Sequence, residues 1–250
     1  MTSLDLPTPA RALAFGAHPD DIEFGAGATL ARWAAAGCEV SFVIGTDGSK
    51  GTWDPDADLA ALVTTRATEA RAAADALGAT GEVRFLGAVD GELANDRPTR
   101  SLLARHIREL RPDVLLGHDP WKRYRLHPDH RAAGFLVCDA LVAARDPHFF
   151  PEHGSAPHRP SALLLFEADE PDHAEQVEAT HVDAKIAALE AHRSQYESTM
   201  FISTDRAEDA AAAEAERARF HDEIRSGVAE AGAWAGVALA ERFRLMPTDR

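Results

Sequence analysis

Through its first 145 residues the chain alternates short apolar runs with longer amphipathic ones, and that alternation leaves few folds open. Strands are expected at 12–17 (ALAFGA), 39–45 (EVSFVIG), 82–87 (EVRFLG) and 113–118 (DVLLGH), and helices at 25–36, 58–77, 99–110 and 128–145. Repeated strand–helix units build a parallel sheet with helices on both faces. The expected class is α/β, a Rossmann-like three-layer sandwich around a mostly parallel sheet. Local signals support the boundaries. Gly37 and Gly78 follow helices as C-terminal caps do. Pro112 follows a helix ending near Arg111, and Pro128 suits a first helical turn.

After residue 145 the pattern loosens. Segment 146–160 (DPHFFPEHGSAPHRP) reads as a loop, with His148, His153 and His158 expected in solvent. A strand is expected at 161–168, another near 174–180, a helix at 181–195, helical spacing over 205–231 and a closing strand at 240–245. A length of 250 residues suits one catalytic domain over 1–250. In it, 1–145 forms the βαβ core, and 146–250 completes the sheet and the substrate-side wall.

Two clusters carry the chemistry. His18-Pro19-Asp20-Asp21 follows the first strand, and His127-Pro128-Asp129-His130 comes shortly after the 113–118 strand. Strand ends are where open α/β sheets place their sites. Within each cluster the outer residues are three apart, which puts them on one side of a helical turn. A catalytic zinc takes three protein ligands and keeps one position open for water. The two clusters offer more donors than three, so the surplus supplies acid and base. Asp20 and Asp21 are adjacent and cannot point the same way, so one binds metal while the other addresses the attacking water. Either cluster alone reads equally as a helix cap; two in one α/β chain do not.

Other features are weaker. Gly25-Ala-Gly27 lacks the third glycine of a dinucleotide fingerprint, because position 30 is Leu, and His18–Asp21 occupies the place of the phosphate turn. Helix–sheet packing explains those glycines. The acidic stretch 51–58 carries Trp53, either as a stacking platform on a lid or as an exposed aromatic on a surface loop.

Composition bounds the partners. With 26 Lys+Arg against 41 Asp+Glu the net charge is −15. Such a field repels nucleic acid and anionic membrane. Cys38 and Cys138 lie in apolar segments away from other ligands and read as small buried hydrophobes. The start shows no basic and apolar signal pattern, and no apolar run approaches the roughly 18 residues of a membrane span. A cytoplasmic location is expected, with no nucleic-acid partner and no membrane span; the oligomeric state is open.

The chain resembles the PIG-L (LmbE-like) family of zinc-dependent de-N-acetylases. The resemblance rests on AHPDDIEFGAGATLA at 17–31 and HPDHRAAG at 127–134. Support comes from TDGSKG at 46–51, Arg66 and Glu69 running to Leu77-Gly78, FLGAVDG at 85–91 and RPDVLLGHDP at 111–120. Lys185 to Gln195 and the late Glu241-Arg-Phe243 add to it. The resemblance implies an LmbE-like fold and a metal-dependent N-deacetylase acting on an N-acetylglucosamine-type amino sugar or its conjugate. It implies one Zn2+ per chain on His18, Asp21 and His130, with other divalent transition metals able to take its place. Asp20 would be the general base, and His127 the proton donor or oxyanion stabiliser. Asp129 would orient His127, as outer carboxylates do. Arg66 and Asp90 would hold sugar hydroxyls; from the residues alone, Arg66 is equally a surface ion pair with Glu69, and Asp90 a turn residue. Thiol-pathway members carry a tyrosine two residues before HPDH, where this chain has Arg125, with Tyr124 one earlier. The residues leave two alternatives, a metal-dependent phosphoesterase and a non-catalytic sugar-binding protein on the same fold.

Overall fold

The computed structural model describes residues 2–203 and 210–248. These residues form strands β1 (Ser3–Leu4), β2 (Arg11–Gly16), β3 (Glu39–Thr46), β4 (Val83–Ala88), β5 (Val114–His118), β6 (Ala162–Phe166), β7 (His173–Gln176) and β8 (Ala240–Pro247). The helices are α1 (Asp21–Ala35), α2 (Leu59–Ala76), α3 (Arg97–Leu110), α4 (Pro128–Arg145), α5 (Ala179–Ala191) and α6 (Ala210–Ala235).

The eight described strands make one sheet in the order β1-β7-β8-β6-β5-β2-β3-β4. Its pairs are parallel except where β8 lies antiparallel between β6 and β7. The architecture is the open three-layer α/β sandwich. Along β2, Ala12 and Ala14 pack with Leu30 and Trp33 of α1 and Ala70 and Ala73 of α2. Leu13 and Phe15 pack on the other face with Leu103 and Ile107 of α3 and Leu136 and Val137 of α4. Strands covered on both faces read as unbroken apolar runs, which is why the central strands were so visible.

Strand β2 has β3 on one side and β5 on the other. The chain reverses its direction of winding between β2 and β5, and such switch points open a crevice at the carboxyl ends of the strands. Both His-Pro-Asp clusters follow those ends.

Several elements differ from expectation. Helix α1 starts at Asp21 rather than near 25, because Asp20, with a left-handed φ of 113°, turns the chain from strand to helix within four residues. The two residues of β1 are too few to show a periodicity. Helix α5 stops at Ala191 and continues after His192 as a 3-10 turn, Arg193–Gln195, instead of running to 195. Of the helical 205–231 stretch, 205–209 lie outside the described residues. In the 146–160 loop His148 is exposed, but His153 and His158 are half-buried. His153 bonds Ser101 Oγ at 2.8 Å and stacks on Phe150, while His158 bonds the Pro112 carbonyl at 2.7 Å. They fasten the loop to α3 and its end.

Cys38 is buried and Cys138 half-buried, both as free thiols, and burial pushes them up to about 11 and about 12. No described helix is long and apolar enough to cross a membrane.

Two contacts set the helices that carry the site. A Cβ on Gly25 would lie 2.5 Å from the Phe166 ring, so α1 sits on the end of β6 only without a side chain there. A Cβ on Gly134 would lie 2.7 Å from the Pro120 nitrogen and 2.8 Å from the His118 carbonyl oxygen. Lys185 Nζ donates to Glu241 Oε1 at 2.6 Å and to the Phe24 carbonyl at 2.7 Å, and Glu241 accepts from the Ala28 and Thr29 amides. The late motif residues thus clamp α1 to α5 and β8. Gly134→Ala gains about 1 kcal/mol of helix propensity but forces backbone against backbone, which costs about 1–3 kcal/mol. We expect a net loss of stability and displacement of α4. A denaturant midpoint equal to wild type would show that α4 is free to move away.

Candidate metal centre

The turn after β2 is built by its own residues. The His18 amide donates to Asp21 Oδ2 at 2.7 Å, which folds the four-residue turn on itself. Asp20 occupies the N-cap position of α1 but, among the described residues, makes no side-chain cap bond. Its strained backbone, with a carboxylate that takes no part in capping, marks it as held for something other than helix capping. On the facing turn His127 is the N-cap of α4, its Nδ1 accepting from the Asp129 amide at 3.3 Å, with Pro128 in the first turn.

The switch point brings the clusters together. His18 Nδ1 lies 3.2 Å from His130 Nε2, His130 Nε2 lies 3.2 Å from Asp21 Oδ1, and His18 Nδ1 lies 3.4 Å from Asp21 Oδ2. Ligands about 2.0–2.1 Å from a tetrahedral ion stand about 3.3–3.4 Å apart; the donor set fits zinc in chemistry, and the His18–His130 and His130–Asp21 Oδ1 separations fit it in spacing. The charges fit as well. Burial opposes a charge on the His18 ring, but Asp129, Asp21 and Asp90 outweigh it and push its pKa up to about 12. Surroundings that favour a positive charge so strongly also suit a metal cation. Burial would raise the Asp21 carboxyl, yet His118 and His130 hold it well below the usual range.

The outer ring is not arranged as expected. Asp129 Oδ2 lies 3.0 Å from His18 Nε2 and accepts from the Gly91 amide at 2.6 Å, while Oδ1 accepts from the Leu93 amide at 3.1 Å. Asp129 therefore orients His18, and its link to His127 runs through its own amide. Asp90 Oδ1 stands 3.2 Å from the same His18 Nε2, and Oδ2 accepts from the Lys50 amide at 3.1 Å. Arg66 is buried and donates to the carbonyls of Gly48 at 2.9 Å and Pro19 at 2.6 Å, with its NH2 group 3.4 Å from Asp20 Oδ2. The surface ion pair with Glu69 does not form; Glu69 accepts from Ser194 instead.

Burial lifts the Asp20 pKa and the Arg66 charge opposes that lift, leaving it at about 6. His127 faces outward, its ring centroid 4.6 Å from that of His18 and 4.8 Å from that of His130. Burial and those two imidazoles hold it below its ordinary value. All eight residues singled out from the sequence meet here, and seven of them line one cavity of about 540 Å3 with Lys50, Phe24, Glu167, Gln195 and Thr199. Asp129 is fully buried behind it. The lining reaches Gly51 but not Trp53, which is exposed. Tyr124 is turned out into solvent.

Sequence reasoning missed three groups. His118 ends β5 as one more residue of a buried strand, its Nε2 3.1 Å from Asp21 Oδ2. Glu167 follows β6 with a left-handed φ of 56° and lines the cavity. His192 is fully buried with Nε2 3.5 Å from Glu23 Oε1. The first was signalled by its place, at the end of the strand beside the first cluster's strand; the others become neighbours only in three dimensions.

Comparison with known proteins accords with this geometry. The PIG-L family model, described as GlcNAc-PI de-N-acetylase, matches residues 13–141. Diacetylchitobiose deacetylase of Thermococcus kodakarensis is 33% identical over 182 residues, which covers 72% of this chain and 67% of that protein. A 1D-myo-inositol 2-acetamido-2-deoxy-alpha-D-glucopyranoside deacetylase of Catenulispora acidiphila is 38% identical over 175 residues, 60% of this chain and 54% of that one. The chain thus spans about half the length of that second relative. The structure of N,N'-diacetylchitobiose deacetylase from Pyrococcus horikoshii aligns with a TM-score of 0.82 at 28% identity, covering 96% of this chain and 84% of that one. The chain belongs to the PIG-L family of deacetylases.

His18→Ala removes a nitrogen donor and leaves Asp129 and Asp90 facing each other. We expect a bound divalent ion to fall from one per chain to near zero by elemental analysis after gel filtration. Retention of a full equivalent would remove His18 from the ligand set.

Proposed function

We propose that the protein is a metal-dependent hydrolase that removes the N-acetyl group from an N-acetylglucosamine-type amino sugar or a conjugate of one. The observation that carries this is the buried Asp20 carboxylate, its pKa near 6, beside the convergent donors His18, Asp21 and His130 and in one cavity with His127. A binding protein needs no such base.

His18, Asp21 and His130 would hold zinc or another divalent transition metal, which when bound would supply Lewis acidity and lower the pKa of a water from 15.7 toward about 7. Asp20 takes the proton of the attacking water, a role suited to a base whose pKa lies near the working pH. Arg66 holds Asp20 ionised and fixes the turn through the Pro19 carbonyl. His127 donates a hydrogen bond to the oxygen on which charge develops, typically a contribution of about 3–4 kcal/mol to the barrier. A proton delivered to nitrogen lets the carbon–nitrogen bond break, giving acetate and the free amine. Asp129 and Asp90 keep His18 turned with Nδ1 toward the centre. The polar wall of Lys50, Arg66, Asp90 and Gln195 suits a sugar better than an acyl chain.

The first test is primary-amine release from a panel including N-acetylglucosamine and diacetylchitobiose, with metal-loaded and chelator-stripped protein. Metal-dependent release is expected. No release from any member by protein holding one ion per chain would remove the sugar deacetylase. His127→Ala should lower kcat about 100-fold or more while the bound ion remains.

The acid limb of kcat/KM should fall near pH 6, because Asp20 must be ionised to accept a proton. Arg66→Met removes the charge that opposes burial, so Asp20 protonates at higher pH and the limb moves upward. A limb that stays in place would show that another group sets it.

A further inference from the structure

Arg125 inverts the usual polarity of its loop. Tyr124 and Leu126 on either side are 94% and 90% exposed, while the Arg125 side chain between them is 5% exposed. Tyr124 has a left-handed φ of 59°, and Arg131 of α4 donates to the Arg125 and Leu126 carbonyls at 2.5 and 3.1 Å. The loop therefore exposes two large apolar residues and turns a cation inward. The cation goes to His118. Arg125 Nη1 lies 2.9 Å from His118 Nδ1 and Nη2 lies 2.9 Å from Glu167 Oε2, which itself stands 3.3 Å from His118 Nδ1.

That contact fixes the imidazole. The Asp21 carboxylate only accepts hydrogen bonds, so the nitrogen that faces it, Nε2, carries a proton. Nε2 points at Asp21 Oδ2, 3.1 Å away. The same oxygen already accepts from the His18 amide at 2.7 Å. Two N–H groups thus occupy Oδ2, while Oδ1 faces His130 Nε2 at 3.2 Å. The His118 ring also lies nearly parallel to that of His130, with centroids 4.5 Å apart and planes 14° apart.

We propose that His118, locked by Arg125, is a positioning residue of the metal centre that occupies one oxygen of Asp21, so that this ligand binds through Oδ1 alone. The inference rests on the deacetylase metal site argued above. It also decides against His118 as a ligand, although its nitrogen lies within 4.8 Å of donor atoms of Asp21 and His130. With Nδ1 set between Arg125 and Glu167 and the Nε2 proton given to Asp21, both ring nitrogens are already engaged. A carboxylate held at one oxygen keeps the coordination number low and a position open, which a catalytic site needs.

The test is zinc affinity, measured by competition with a chromophoric chelator, for wild type, His118→Ala, His118→Gln and Arg125→Met. Thermal melts of the metal-free proteins report folding. All four are expected to bind one ion. Affinity should drop about 10–100-fold in His118→Ala and Arg125→Met, the usual range for losing an outer partner of a ligand. His118→Gln keeps an N–H near the Nε2 position and should recover most of the loss. The metal-free melt of Arg125→Met should fall, because Glu167 and His118 lose a buried partner, and each affinity is read below the onset of that melt. Wild-type affinity in both His118→Ala and Arg125→Met would overturn the inference while leaving the deacetylase standing. Loss of the stoichiometric ion in His118→Ala would make His118 a ligand and overturn it too. A wild type that binds no ion would remove both.

Discussion

The site depends on the parallel pairing of β2 with β5. Ala12, Leu13 and Ala14 run in register with Val114, Leu115 and Leu116. Shift that register and the turn carrying His18 and Asp21 no longer faces the helix start carrying His130. The pairing is held by the faces of the same strands, since Leu13 and Leu115 belong to the α3/α4 core and Ala14 and Leu116 to the α1/α2 core. A one-residue slip would move each set to the opposite layer. The metal geometry is thus specified by hydrophobic burial some distance from any ligand.

Charge completes what burial begins. Four aspartates, Asp20, Asp21, Asp90 and Asp129, converge on a few ångströms, which would be costly if nothing offset them. Each is offset differently. Asp129 takes the Gly91 and Leu93 amides, Asp90 takes the Lys50 amide, Asp21 takes the His18 amide, and Asp20 stands against Arg66. Asp20 is the one whose pKa burial keeps above its ordinary value. The carboxylates with backbone donors are fixed by the main chain, and Asp20 is offset by the Arg66 side chain instead. That division of roles follows from hydrogen-bond accounting.

The sequence revealed the central strands, the four helices between them and both clusters, because doubly buried strands and paired His-Pro-Asp turns are strong local signals. What it could not show was which groups meet across the switch point. Asp129 reads as the partner of His127, its neighbour by two positions, yet folding places it against His18, 111 positions away. Arg66 and Glu69 share a helix face at the spacing of an ion pair, but α2 turns Arg66 inward to Asp20 and leaves Glu69 to Ser194. His153 and His158 looked like loop histidines until their partners, Ser101 and the Pro112 carbonyl, were in place. Local periodicity says which side of an element is buried, not what it is buried against.

Arg125 shows how a position can be read wrongly from its residue type. From residue type alone, Tyr124 could stand in for the tyrosine that thiol-pathway members carry at the place of Arg125. The backbone rules this out, since Tyr124 in the left-handed region points into solvent and Arg125 points inward. An arginine reaching the oxyanion directly would have to leave Glu167 and His118, both within 3 Å of its guanidinium. Arg125 therefore stays at the back of the site, and its link to Asp21 runs through His118.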